Sequence, residues 1–515
     1  MEKHSSSRLL AFIFGPPNSP PSENRNNASR YTYWHYASVV AVLIGLVLRL
    51  IHYIRNCSLW VDEAKLALNL IWGTFPRLLK PLIYNQGAPV GFLWLQKAVI
   101  TVLGNSELAL RLVPFLAGIV SLFLLCRLAR KHCEEKAGFF AISLFAILPP
   151  LINYSAEVKQ YSTDILLSIL VLLSYEKLIK DRLPFASWIC PVGLGCVAIF
   201  FSHPAVFVLA GIGTAAALHH SKRKNWRAFG KTCVAGVIWL ACMGINYFFF
   251  LRALSKNKAL LNFWEEGFPV LTPLPKFADW VRSSFTDIFQ RTMDLDIAFA
   301  SALVFLVGIW QGIKTSQKSR SAALLLPCFF CLLAAFMHYY PFKGHLILFL
   351  IPSVVLFMGK GLATMLPGRD KKFLTSLGIA ALCLVFGGAI GTMLDDGIDG
   401  AQDEMLKPVF RHVANKDRAE DILYLFPYCS PQFRYYRKVY NFGFQAEVAM
   451  PRKGDAHVKS MRKHLSKNKR VWLAYPEDPE DVSGVAERCC KQLGNIEQHF
   501  KVGESGVYLI VPEPN

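Results

Sequence analysis

The segment CSLWVDEAKLALNLIW (57–72) sets two adjacent carboxylates, Asp62 and Glu63, at the edge of an apolar run. Acids are common at exposed helix starts, where they favour the positive end of the helix dipole. Here, though, Trp60 and Val61 flank the pair and apolar sequence lies on both sides. An acid held beside hydrocarbon is costly, which makes it a functional candidate. Neighbours on a helix point about 100° apart, so the two carboxylates do not serve one atom together. One can face a site while the other supports it.

Two further stretches offer partners. NYSAEVKQYSTD (153–164) carries Tyr154, Glu157, Lys159, Gln160, Tyr161 and Asp164. Helical spacing puts Gln160 and Asp164 on one face, and Glu157 and Tyr161 on another. HYYPFKGHLILFLIP (338–352) sets Lys343 and His345 beside Tyr339 and Tyr340. Each has an ordinary reading. Glu157 and Lys159 can be a surface pair worth about 0–1 kcal/mol. Asp164 can bond a neighbouring helix. Lys343 can snorkel at a helix end, and interfacial Tyr is usual. Together they supply carboxylate, cation and aromatics, the set that a membrane-embedded site for a lipid-linked anion needs.

The elements that must position these residues are membrane spans. The chain has 515 residues, 53% hydrophobic and 18% charged, against about 25% charged in soluble chains. The apolar residues gather into runs such as 36–55 and 372–394, and about 20 residues suffice to cross about 30 Å of hydrocarbon. The expectation is a polytopic α-helical membrane protein with about eleven spans: 36–55, 108–126, 137–154, 160–177, 185–203, 204–219, 229–251, 296–313, 321–339, 345–365 and 372–394.

Charge orients them. RLARKHCEEK (127–136), KLIKDR (177–182), HHSKRKNWR (219–227), KTSQKSR (314–320) and PGRDKK (367–372) fall on alternate connections, which places them in the cytoplasm. The loops bearing the candidate residues then face outward. PVGFLWLQKAVITVL (89–103) contains Gln96 and Lys97. Counting it as a span would break the charge alternation, so it reads as an interfacial helix within the outer loop 56–107. Three parts result: a polar cytoplasmic tail (1–35), a transmembrane catalytic domain (36–395) and an extracytoplasmic small α/β domain (396–515). The last rests on apolar stretches at 421–428, 470–476 and 506–512, with helix-like segments near 431–440, 456–467 and 480–493.

The net charge of +20 belongs to cytoplasmic loops rather than to a nucleic-acid surface. The Lys-rich patch 459–470 reads as a solvated helix face, with an anionic partner as the alternative. Most of the 13 cysteines lie in apolar runs, and Cys489 and Cys490 are adjacent, so neither a disulfide framework nor a zinc spacing is present. The polar tail makes the first apolar run an uncleaved anchor.

The sequence resembles the GT-C glycosyltransferases, in the branch of dolichyl-phosphate-mannose protein mannosyltransferases, aminoarabinose lipid A transferases and bacterial envelope-polysaccharide relatives. LWVDEA (59–64) resembles the first-loop Asp-Glu motif. Residues 86–122 are similar to the stretch where a Pro-led interfacial helix precedes an Arg-Leu-x-Pro span start, and 152–164 and 340–352 to the second-loop and late-span motifs. The resemblance implies a sugar carried on polyprenyl phosphate and an acceptor presented at the outer face. It implies Asp62 as the catalytic acidic residue, Glu157 as an acidic or substrate-contacting residue, and Lys159 in place of a frequent Arg. The lipid A transferases carry a Glu-Lys pair where this chain has Gln86 and Gly87. A proposed metal ligand and a proposed phosphate contact are thus both replaced, and a divalent-metal cofactor is left open.

The expected reaction moves a sugar to an acceptor hydroxyl with inversion, in a multi-pass protein of the bacterial inner membrane whose active face points outward. Asp62, Glu63 and Glu157 are the catalytic candidates. Lys159, Gln160, Tyr161, Gln86, Lys343 and His345 are candidates for binding substrate, with Arg252 and Lys258 in reserve. Burial would raise the proton affinity of Asp62 and make it a better base. In FWEEGFP (263–269), Phe263 and Trp264 either stack on sugar or lie in the interface. Partners would be a lipid-linked donor, a lipid, glycan or protein acceptor and membrane lipids, without nucleic acid. A polysaccharide polymerase or ligase, a lipid-linked substrate transporter and a non-catalytic relative are the alternatives.

Overall fold

The computed structural model describes residues 25–180, 185–295, 297–315 and 318–366, and beyond them 405–416, 421–426, 429–440, 445–448, 469–476, 495–503 and 505–511, with isolated positions between. The tail before residue 25, most of the expected span 372–394, the helix-like segments near 456–467 and 480–493, most of the Lys-rich patch and Cys489 and Cys490 lie outside the described residues.

Helices occupy the other expected runs. The first, Arg25–Arg55, starts earlier than the expected 36. Among the described residues five helices are long and apolar enough to cross a membrane alone: Tyr33–Arg55, Glu107–His132, Trp226–Leu254, Lys318–Phe336 and Gly344–Met365. A sixth candidate is the pair Glu135–Ile147 and Pro149–Ala156, bent by 61°. The remaining expected spans are shorter or more polar. Ala298–Lys314 has 17 residues. Tyr161–Leu178 carries Asp164, Glu176 and Lys177 yet is buried on nearly every face, so packed helices stand where lipid would otherwise be.

The bend has a visible cause. Pro149 and Pro150 follow Leu148 and end the helix, because proline lacks the N–H and crowds the preceding turn. That leaves carbonyls without intrahelical donors. The buried Arg49 supplies them, donating to Ala146 O at 2.9 Å and Phe145 O at 3.2 Å. The bend carries the chain directly into Glu157–Lys159.

The expected interfacial helix is Val90–Leu103, led by Pro89 and closed at Gly104, whose φ of +83° suits glycine. At about 1.5 Å per residue its length is about 21 Å, too short to span. Phe92, Leu93, Gln96 and Ile100 are buried, while Trp94, Leu95, Val102 and Leu103 are exposed.

The C-terminal region contains a five-stranded sheet of β1 (Ile422–Leu425), β2 (Gln445–Val448), β3 (Val471–Tyr475), β4 (Asn495–Val502) and β5 (Ser505–Val511), in the order β2-β1-β3-β5-β4. β1 is parallel to β2 and β3, and β5 is antiparallel to β3 and β4. Helices Leu406–Lys416 and Ser430–Tyr440 accompany it. β1, β3 and β5 fall on the three expected apolar stretches. β4 reads NIEQHFKV and is largely exposed, so apolarity did not reveal it. The sheet does not form a separate core. Val409, Phe410, Phe433 and Tyr436 pack in one hydrophobic cluster with Leu59, Leu66, Phe92 and Val158.

Candidate functional site

Asp62 and Glu63 open the helix Val61–Trp72 and face apart. Glu63 is 0% exposed. Its Oε1 accepts from Arg111 Nε at 3.1 Å and Val158 N at 2.7 Å, and its Oε2 from Arg111 Nη2 at 2.8 Å. Arg111 also donates to Cys57 O and Ser58 O. Glu63 therefore ties two loops to the start of Glu107–His132 and does not line the cavity described next. As a catalytic candidate it is corrected to a positioning residue, because Arg111 and two backbone N–H groups claim its oxygens.

Asp62 lines a cavity of about 870 Å³. Its Oδ1 accepts from Lys65 Nζ at 3.0 Å and Gln86 Nε2 at 3.4 Å. Its Oδ2 lies 3.5 Å from Lys159 Nζ, which also donates to Gln86 Oε1 at 3.0 Å. Four side chains from three segments thus meet at one end of the cavity. Lys65 escaped the sequence reading, although its place one turn beyond Asp62 was a signal for it.

The expected rise in Asp62 proton affinity does not occur. Burial does push the carboxyl upward, but the ammoniums of Lys159 and Lys65 outweigh it and hold it below the usual range. The Asp62 side chain is 36% exposed, so desolvation is incomplete. Lys159 is buried, and burial lowers its proton affinity despite the opposing charges of Asp62 and Glu157.

Gln86 reaches this cluster through a strained loop. Tyr84 and Asn85 both have positive φ, at 61° and 52°, which costs non-glycine residues energy and persists only when surroundings enforce it. Asn69 enforces it from the Asp62 helix: its side chain donates to Ile83 O and accepts from Ile83 N. Asn85 accepts from Asn257, and Tyr84 from Arg434. A Cβ at Gly87 would lie 2.9 Å from Leu254. A side chain there needs Leu254 to move.

Glu157 also departs from expectation. Its Oε2 accepts from Trp60 Nε1 at 3.3 Å, and it does not line the cavity. Burial, then the charge of Glu63, pushes its carboxyl up to about 8 despite Arg111 and Lys159. Near neutral pH it is mostly protonated, which does not suit a base. Lys343 pairs with Glu266 outside the cavity lining. Arg252 and Lys258 do not line the cavity either.

Gln160, Tyr161 and His345 do line it, as do Phe263 and Trp264. His345 packs against Tyr161 with centroids 4.6 Å apart and against Trp264 at 5.0 Å. Gly344, with φ +52°, turns the chain just before it. Met243, Leu251, Leu254 and Leu260 make an apolar wall.

The donor set does not fit a divalent metal. Asp62 is the one carboxylate at the polar end, and two ammoniums flank it. Among the described residues no group of three or more His, Cys, Asp or Glu side chains is placed to hold a metal.

A cavity with cations at one end and an apolar wall, among membrane helices, defines a multi-pass membrane protein with a site suited to an amphiphile bearing an anionic head. Residues 87–259 match the family described as dolichyl-phosphate-mannose-protein mannosyltransferase. Over that stretch the chain is similar to the protein mannosyltransferases. No curated protein matches the sequence. Among solved structures, ArnT from Cupriavidus metallidurans bound to undecaprenyl phosphate superposes with a TM-score of 0.49 at 11% identity, covering 93% of this chain and 99% of that one. The oligosaccharyltransferase AglB from Archaeoglobus fulgidus, in complex with an inhibitory peptide and a dolichol-phosphate, gives 0.41 at 10% identity, covering 86% and 69%.

Proposed function

We propose that this membrane glycosyltransferase moves a sugar from a polyprenyl-phosphate donor to an acceptor hydroxyl at the outer face of a bacterial inner membrane, inverting the anomeric centre. One observation carries this reading. The Asp62 carboxylate stands beside two lysines and Gln86 at the polar end of a cavity whose wall is apolar.

The acceptor oxygen attacks the anomeric carbon as the bond from that carbon to the phosphate oxygen breaks. The bonding pair leaves with the phosphate, and the hydroxyl proton passes to Asp62. The lysines keep Asp62 ionised at neutral pH, ready to accept it. Lys159 and Lys65 also supply positive charge where the leaving phosphate gathers negative charge. As they turn toward the phosphate they release Asp62, whose basicity rises when it is needed. Gln86, Gln160, Tyr161 and His345 contact substrate. Glu63 and Glu157 hold the loops, and Lys343 braces the rim through Glu266. The acceptor is a lipid, glycan or protein hydroxyl.

The test uses membranes containing the full chain and a panel of radiolabelled polyprenyl-phosphate sugars. Loss of label from one lipid, absent in membranes without the protein, supports the reading. Retention of every label with acceptors present contradicts it.

A further inference from the structure

The same cavity is also lined by residues whose buried polar atoms are incompletely bonded. Asp164 and Gln160 line it and are 6% and 7% exposed. Asp164 Oδ1 and Gln160 Oε1 are buried and without a partner at hydrogen-bond distance among the described residues, although the Ser202 side chain stands beside the Asp164 carboxyl. Both ring nitrogens of His203, another lining residue, are likewise buried and unpartnered. Gln160 and Asp164 are four residues apart at the start of Tyr161–Leu178, on one helix face. His203 stands in the turn between Phe185–Phe201 and Ala205–Lys222.

A buried polar group without a partner is destabilising. Several on residues that line one cavity are explained by a ligand that satisfies them. Its chemistry follows by elimination. A hydrocarbon tail would leave every group unpaired. A phosphate mainly accepts hydrogen bonds, offers little to the acceptors Asp164 Oδ1 and Gln160 Oε1, and is drawn to Lys159 and Lys65 instead. Neutral groups that both donate and accept fit: they donate to Asp164 and Gln160 Oε1 and use either nitrogen of His203. Aromatic rings stand beside the same space, with Tyr161 against His345 and Phe207 against Tyr340 at 5.1 Å. A sugar ring offers hydroxyls at its edge and C–H groups on its faces.

We infer that Gln160, Asp164 and His203 form the subsite that reads the hydroxyls of the donor's glycosyl group, apart from the lysine end that holds its phosphate. This rests on the lipid-linked donor reading above. It gives Asp164 a substrate contact rather than a helix-packing role, and places sugar selectivity on one helix and a turn.

The experiment measures binding of sugar-free polyprenyl phosphate and of a panel of polyprenyl-phosphate hexoses to the purified full chain in detergent. Wild type is compared with Asp164→Asn, Gln160→Leu and His203→Gln. A control is Thr163→Val, whose hydroxyl is also unpartnered but does not line the cavity. A site built to bond hydroxyls loses much when one partner is removed, so we expect about tenfold or weaker binding of the preferred hexose lipid and an unchanged affinity for the sugar-free lipid. Thr163→Val should alter neither. Equal weakening for both lipids, or no change for either, would overturn the subsite. Wild type binding sugar-free and glycosylated lipid equally would also overturn it while leaving the lipid-phosphate reading intact. Failure of wild type to bind any of the lipids would overturn both.

Discussion

The Tyr436 hydroxyl accepts the backbone N–H of Leu59 at 2.7 Å, across 377 residues of sequence. Tyr436 is fully buried, and Leu59 lies three residues before Asp62. Nearby, Lys407 pairs with Glu107 at 2.7 Å and Tyr435 donates to Asn105 O. The C-terminal unit thus grips the loops that position the candidate base. Tyr436→Phe leaves the Leu59 N–H buried and unpaired, at a cost of about 1–3 kcal/mol. Because small misplacements of a reacting group are expensive, we expect kcat to fall about tenfold or more with KM nearly unchanged. Steady-state kinetics on a donor consumed by wild type checks this.

Glu63 and Arg111 predict a structural phenotype. Breaking a buried ion pair from one side costs about 3–5 kcal/mol. Arg111→Gln should therefore depress the melting temperature in detergent strongly, whereas Asp62→Asn, at a half-exposed side chain, should barely move it. Similar melting temperatures for the two variants would contradict the division of labour between the neighbouring acids.

The Glu157 carboxyl predicts a pH effect. It ionises near its ordinary value in the unfolded chain and at about 8 in the folded protein. Between those values the folded state keeps a proton that the unfolded state has lost. Stability must then fall as pH rises through this window. Glu157→Gln mimics the protonated form and should flatten the alkaline loss while preserving most activity near neutral pH. Melting temperatures across that range, for wild type and variant, test the sign.

The two lysines proposed from sequence should separate. Lys159 contacts Asp62 and Gln86 inside the cavity, and Lys343 is paired with Glu266 outside it. Lys159→Gln removes charge at the leaving phosphate, with an expected loss of about 10²-fold or more in kcat/KM. Lys343→Gln should cost little, as exposed pairs generally do. The same transfer assay ranks them.

Much of this arrangement was legible in local sequence, because membrane helices and helix ends follow local rules. The apolar runs marked the helices, the short run 89–103 with Gln96 and Lys97 marked a helix too short to span, and Asp62 stood out because an acid beside hydrocarbon is rare. What escaped depends on contacts between distant segments. The pull of Arg111 on Glu63, and of Trp60 on Glu157, cannot be read from spacing within either motif. Nor can the lowered proton affinity of Asp62, since it takes Lys159, almost a hundred residues later, to counter burial. β2 and β4 escaped because a polar edge strand gains its place from its neighbours rather than from its own apolarity.

The most direct test of the account is a single-turnover comparison of wild type and Asp62→Asn on the donor that wild type consumes, with donor binding measured on the same preparations. The account predicts that Asp62→Asn binds the lipid donor with similar affinity, folds normally and transfers sugar about 10²–10⁴-fold more slowly, the range expected for loss of a general base. Transfer by Asp62→Asn at the wild-type rate would contradict it, and the base would have to be sought elsewhere in the cavity.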